Sequence, residues 1–204
     1  MILLIFQFLF FKVLTENKNW PLKSFLLGFT SSISILWTLD MGIFINLLLI
    51  FIIIFLIIRK DFKRIKFILF GLSIGFLSLI YIIGLNEILY LLETFYFMIT
   101  NVDQASGLIY PTPFLSGDAR FTKALLLYIL NGVLLIILCF KKDFEIPNSL
   151  KIFLISFFIS SILVFKQALT RSDTAHIKAA SGISYLIFIS IILFFIFYFL
   201  KKNN

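Results

Sequence analysis

The stretch ALTRSDTAHI, from Ala168 to Ile177, sets an arginine, an aspartate, the only histidine of the chain and three hydroxyls between two long apolar runs. If a helix begins within it, the first amide groups of that helix lack partners and its field favours anions. Arg171 adds a planar, permanently charged fork that matches phosphate oxygens. His176 can donate a hydrogen bond or a proton near neutral pH. Asp173 can orient either of them or accept from a sugar hydroxyl. Together these groups suit a phosphate or pyrophosphate held at a surface. The same residues also admit a plainer reading. Asp173 or Thr174 caps the helix, Arg171 pairs with Asp173, and His176 and Lys178 sit at a water boundary.

Two other places gather polar groups. In LWTLDMGIF, Asp40 stands between two apolar runs. It reads either as the cap of the following helix, with Gly42 easing a tight turn, or as a carboxylate facing water beside Arg171 or a substrate hydroxyl. In SGDARF, Asp118 is two residues from Arg120, with Asp103 upstream. A loop of this kind often carries function, and an acid and a base so close in a solvated loop also neutralise each other without further consequence. Tyr110 and Phe114 can stack on a sugar ring or anchor the chain at a membrane interface. No metal ligand set is evident, although Asp103 and Asp118 leave room for a divalent cation. No organic cofactor is implied.

Other chemistries lack their residues. The chain has no Gly-rich phosphate loop and no HExxH. Its apolar runs hold no deep carboxylate of the kind a proton-coupled carrier uses, and none is broken by Gly and Pro like the interrupted helices of transporters. Cys139 is the only cysteine, so neither an internal disulfide nor a thiolate cluster can form. Gly71, Gly75, Ser73 and Ser78 make a small-residue face suited to close helix packing.

The elements that must position these groups are membrane helices. Of the 204 residues, 61% are apolar and only 14% charged, against about 25% charged in a soluble domain; the mean hydropathy is +1.11. Runs such as INLLLIFIIIFLII do not alternate, which excludes a β-barrel. The reading is an all-α polytopic bundle forming a single transmembrane domain over 1–204. About seven spans are expected, near 2–14, 22–39, 43–58, 67–85, 124–140, 152–166 and 183–200, with a loop at 86–123. The opening MILLIFQFLFFKVL lacks the basic start and small-residue cleavage site of a signal peptide and reads as a short or truncated first span. In the sixth, Lys151 and Lys166 can snorkel to the interfaces.

Charge sorts the links. Lys12, Lys18, Lys23, Arg59, Lys60, Lys63, Arg64, Lys66, Lys141, Lys142, Lys151, Lys201 and Lys202 fall on one side, with Glu16, Asp61, Asp143 and Glu145. Arg120, Lys123, Lys166, Arg171 and Lys178 fall on the other, with Asp40, Glu87, Glu93, Asp103, Asp118 and Asp173. The excess of basic residues marks the first set as cytoplasmic. The N-terminus is then extracytoplasmic, the C-terminus cytoplasmic, and all three polar stretches share the outer face. The net charge of +8 is accounted for by these links, so no nucleic-acid partner is called for; membrane lipids are the expected surroundings. Within the loop, NEILYLLETFYFMITN repeats polar residues at helical spacing (Glu87, Tyr90, Thr94, Asn101) and reads as an amphipathic helix along the outer interface. YPTPF should be extended ahead of each proline.

With these residues in hand, the sequence resembles polytopic glycosyltransferases of the GT-C superfamily, which take a sugar from a polyprenyl-phosphate carrier at the extracytoplasmic face. Asp40, Gly42 and Phe44 resemble a D-x-G-aromatic element of that family. Arg171, Ser172, Asp173 and His176 are similar to an Arg-Ser-Asp-x-x-His element of some bacterial members. The likeness covers most of the chain loosely. It implies a bacterial inner-membrane protein whose partner is a lipid-linked sugar. Arg171 and His176 would neutralise the charge developing on the departing lipid phosphate, with Arg120 beside them, while Asp40 or Asp173 holds Arg171 or touches the sugar.

The family's catalytic acid sits in a large outer loop after its first span, a loop this chain does not contain, and a basic residue often follows the acid where this chain has Met41. The resemblance therefore implies the later part of a longer enzyme, with the catalytic base outside this chain. The other class of reading is a non-catalytic membrane subunit, or a flippase or polymerase component for lipid-linked saccharides, built on the same anion site and bound to a partner membrane subunit.

Overall fold

The computed structural model describes residues 2–16, 18–101, 114, 119–141, 144, 146–170 and 174–203. Among them the chain is helical throughout, with no strand: α1 (Ile2–Thr15), α2 (Trp20–Ile33), a 3-10 turn (Ser34–Leu36), α3 (Leu39–Ile58), α4 (Phe62–Ile83), α5 (Leu85–Thr100), α6 (Ala119–Phe140), α7 (Asn148–Thr170) and α8 (Thr174–Asn203). Five stretches are long and apolar enough to cross a membrane: Leu39–Ile58, Phe62–Ile83, Phe121–Phe140, Asn148–Phe165 and Ile177–Leu200. Each starts several residues before the apolar run that announced it. A helix continues through polar residues into the interface, where their charged ends reach water. α1 is apolar but only 14 residues long.

The second expected segment is not one continuous helix. Pro21 sits in the first turn of α2, where a missing N–H costs nothing. At the far end the hydroxyl of Ser34 donates to the carbonyl of Ser31 at 2.6 Å, and the chain tightens into the 3-10 turn before α3. Thr38, extended at φ −156° and ψ 149°, accepts from the amide of Met41 at 3.2 Å and caps α3.

The chain divides into two compact units, 1–107 and 108–204. In the first, Phe6, Phe10 and Val13 of α1 and Ile45, Leu48, Ile52 and Leu56 of α3 recur at helical spacing and are buried, as are Leu27 of α2 and Ile68 of α4. α2 and α4 pack in parallel. Trp20 meets Phe67 with ring centroids 5.4 Å apart, and twelve residues on the hydroxyl of Ser32 donates to the carbonyl of Leu72 at 2.7 Å. Between these points the backbones almost touch. A Cβ on Gly28 would lie 2.0 Å from the carbonyl oxygen of Ile68, and one on Gly71 would lie 2.0 Å from that of Phe25. Only glycine allows this approach. Gly71 and Gly75 thus form the packing face expected of them. Ser73 is exposed, and Ser78 donates within its own helix to the carbonyl of Ile74.

α5 is the expected helix of the 86–101 stretch, and none of its described side chains is buried. Gly84, at φ 88°, makes the break that separates it from α4.

In the second unit α7 runs antiparallel to α6 and α8, which also touch each other directly. At one end Leu135, Leu138, Ile146, Ile187 and Ile191 pack around Phe144, whose ring stands edge-on to Phe195 at 5.3 Å and Tyr198 at 4.8 Å. At the other end Phe165 packs against Phe121 at 5.4 Å and Tyr128 at 4.5 Å.

Candidate functional site

The polar residues singled out by type fall into both units. In the second unit the register between helices decides what can meet. The hydroxyl of Tyr128 lies 3.1 Å from the carbonyls of Ser161 and Ala180. The side-chain amide of Asn131 donates to the carbonyl and to the hydroxyl of Ser184, both at 2.8 Å. These α6–α8 pairs are offset by 52 and 53 residues, so the two helices run parallel with their N-termini level. Arg120 is therefore level with the start of α8 and about one turn from the height of His176. Arg171 and Asp173 lie outside the described residues, between the end of α7 at Thr170 and the start of α8 at Thr174.

Two helix N-termini side by side add their positive ends. Lys123 and Lys178, both exposed, stand on the same two helices near those ends and have no ion-pair partner among the described residues. At this end too, the amide of Phe114 donates to the hydroxyl of Thr122 at 2.8 Å. That bond fixes an aromatic ring that is 67% exposed, in a backbone of φ 70° that non-glycine residues seldom adopt. Cations, amide donors and one open aromatic face converge on this end of the unit.

Asp40 belongs to the first unit. It stands in the first turn of α3 and is exposed, with no hydrogen-bond or ion-pair partner among the described residues. The cap of α3 is Thr38 and not Asp40, because the helix begins one residue earlier than the acid. Asp40 is thereby left as an exposed side chain in the first turn of α3, where a negative charge complements the helix N-terminus. Asp103, Asp118, Tyr110 and the YPTPF prolines lie outside the described residues, and no three His, Cys, Asp or Glu side chains among the described residues group around a metal position.

Reading by residue type missed the amide side chains inside the spans. Asn131 is fully buried, and its Oδ1 has no hydrogen-bond partner among the described residues. In the first unit Asn46 donates to the carbonyls of Gly42 at 2.7 Å and Ser31 at 3.2 Å, and its Oδ1 faces the hydroxyl of Ser31 at 3.0 Å. The available signal was their position. An amide within an apolar run must find a partner on another helix or pay for its burial.

At the opposite, basic end of the first unit, Glu16 receives Lys12 and Lys23, and these two ammonium groups hold its carboxyl below the usual carboxylate range. Compared with known protein families, curated proteins and solved structures, the chain matches none.

Proposed function

We propose that this chain binds the phosphate of a polyprenyl-linked sugar at the extracytoplasmic face of the bacterial inner membrane and serves a GT-C-type glycosyl transfer. The observation that carries the reading is the parallel register of α6 and α8, which sets Arg120 level with the start of α8 and gathers cations at paired helix N-termini. Preorganised positive charge of this kind stabilises a departing phosphate. In this reading Arg171 grips the phosphate as a fork, His176 donates to a phosphate oxygen, and Phe114 offers its exposed face to the sugar. Asp173 orients Arg171, and Asp40 serves as a second outer-face carboxylate.

The topology behind this reading has seven crossings, with the N-terminus outside and the C-terminus in the cytoplasm. Its support is that α2 packs in parallel against the early turns of α4, itself long and apolar enough to span, from Trp20–Phe67 to Ser32–Leu72. α1 and α2 are short for a core of about 30 Å, and Lys12, Lys18 and Lys23 can snorkel to close the gap. α5, with no buried face, lies along the outer interface.

The test is retention of a polyprenyl-phosphate sugar by the purified chain in nanodiscs, followed by carrier-dependent sugar transfer in membranes. Arg171→Ala should weaken retention at least tenfold, as expected when a charge-assisted contact of about 1.5–3 kcal/mol is lost, and should abolish transfer. Arg171→Lys should keep the charge and still impair both. Retention unchanged in Arg171→Ala overturns the assignment. Retention lost with no transfer detectable in the wild type favours the subunit or flippase class over the enzyme.

A further inference from the structure

At the basic end of the first unit, Trp20, Asp61, Lys63 and Arg64 line a cavity of about 300 Å³. Its construction is local. Asp61 caps α4 by accepting from the amide of Arg64 at 3.3 Å, and it takes the Arg64 Nη1 at 2.5 Å. The acid is thus neutralised by its own neighbour. The guanidinium of Arg64 also lies 5.9 Å from the ring centre of Trp20, and its Nε is buried with no acceptor among the described residues. A buried charged donor without an oxygen is costly. Lys63 is exposed, with no ion pair or hydrogen bond among the described residues. Lys60 and Lys66 are exposed on the same short segment.

The cavity is therefore a cationic, aromatic-walled niche missing an anionic oxygen. Its surroundings say what carries that oxygen. Phe62 and Phe67, on either side of Lys63 and Arg64, are 56% and 39% exposed at the first turns of a helix apolar enough to cross a membrane. A tryptophan at this level is the residue that membrane proteins keep among headgroups. A ligand that satisfies the niche needs a phosphate head and an apolar tail. We infer that Trp20, Lys63 and Arg64 form a binding site for the headgroup phosphate of an anionic phospholipid. The Arg64 guanidinium and the Lys63 ammonium donate to phosphate oxygens, and Phe62 and Phe67 lie against the acyl chains. The site stands apart from the sugar-carrier reading, since it uses no residue of that reading.

The experiment is native mass spectrometry of the full chain released from nanodiscs containing equal phosphatidylglycerol and phosphatidylcholine. Wild type should retain phosphatidylglycerol selectively. Lys63→Ala should weaken retention about fivefold, the factor expected for one basic residue at an anionic surface, and Trp20→Leu should weaken it as well. Lys151→Ala, in the other unit, should leave it unchanged. Arg64→Lys keeps the ion pair with Asp61 and loses the planar fork; it should fall between wild type and Lys63→Ala. Adding inorganic phosphate in excess separates the sources. Retention that persists identifies a lipid site, and retention abolished by phosphate alone makes the site one for a free anion and overturns the inference. Equal losses in Lys63→Ala and Lys151→Ala, or no loss in Lys63→Ala, overturn it too.

Discussion

Replacing Gly71 by alanine tests the α2–α4 contact most directly. The new Cβ would meet the carbonyl oxygen of Phe25 at 2.0 Å, so the helices must part by about 1.5 Å to restore van der Waals separation. Both colliding groups are anchored to backbone, so no rotamer change relieves the clash. The separation also carries the Ser32 hydroxyl away from the Leu72 carbonyl, now 2.7 Å apart, and ends that bond, worth about 0.6 kcal/mol between membrane helices. Overpacking by one methyl costs about 1–3 kcal/mol, and this site belongs at the upper end. Against it stands the helix preference of alanine over glycine, about 1 kcal/mol. The net expectation is a loss of about 2–3 kcal/mol.

Gly182 is the internal control. Nothing lies within 4 Å of a Cβ there, so Gly182→Ala should be neutral or stabilising by up to about 1 kcal/mol. The assay is equilibrium unfolding in mixed detergent micelles, followed by helical circular dichroism. Gly28→Ala should match Gly71→Ala, because its Cβ would reach the Ile68 carbonyl oxygen at the same 2.0 Å. The double variant should cost clearly less than the sum, since one separation of the helices relieves both collisions. If Gly71→Ala unfolds at the same midpoint as Gly182→Ala, the close parallel approach of α2 and α4 is wrong.

Asn131→Ala removes two bonds to Ser184 and should destabilise by about 1–2 kcal/mol, whereas Ser184→Ala, which spares the carbonyl acceptor, should cost about half as much in the same unfolding assay. Tyr128→Phe keeps the ring packed on Phe165 and loses only the hydroxyl contacts to Ser161 and Ala180; about 1 kcal/mol is expected, and a loss of several would mean that the ring itself is displaced. Glu16 titrates with the α1–α2 link. Its carboxyl is depressed by Lys12 and Lys23, so its contribution is present above the unfolded carboxylate value and is lost as pH falls through the folded one. Glu16→Gln should therefore be less stable than wild type near neutral pH, with the difference vanishing in acid; a difference independent of pH would refute the pairing.

By itself the sequence settled what a bilayer demands of a chain locally. Apolar runs too long for a soluble core must close their backbone hydrogen bonds within each segment, so they are helices whatever their partners, and every run expected to span contains one. The small-residue face at Gly71 and Gly75 and the amphipathic helix before residue 101 were legible for the same reason, since each depends only on spacing along one helix. The boundaries were less so. Thr38, not Asp40, caps α3, because a cap depends on where the extended residue falls. Only the tertiary structure decided the partners of each helix. Gly28 against Ile68, Ser32 against Leu72, Tyr128 against Ala180 and Asn131 against Ser184 lie 40 to 53 residues apart. Nothing in helical periodicity sets the register between segments so far apart; it follows from which small residues admit a neighbour and which buried amides and hydroxyls must find an acceptor. Residue type alone pointed to Arg120 and His176 separately, and the parallel register of α6 and α8 set their backbone positions at one end of the second unit.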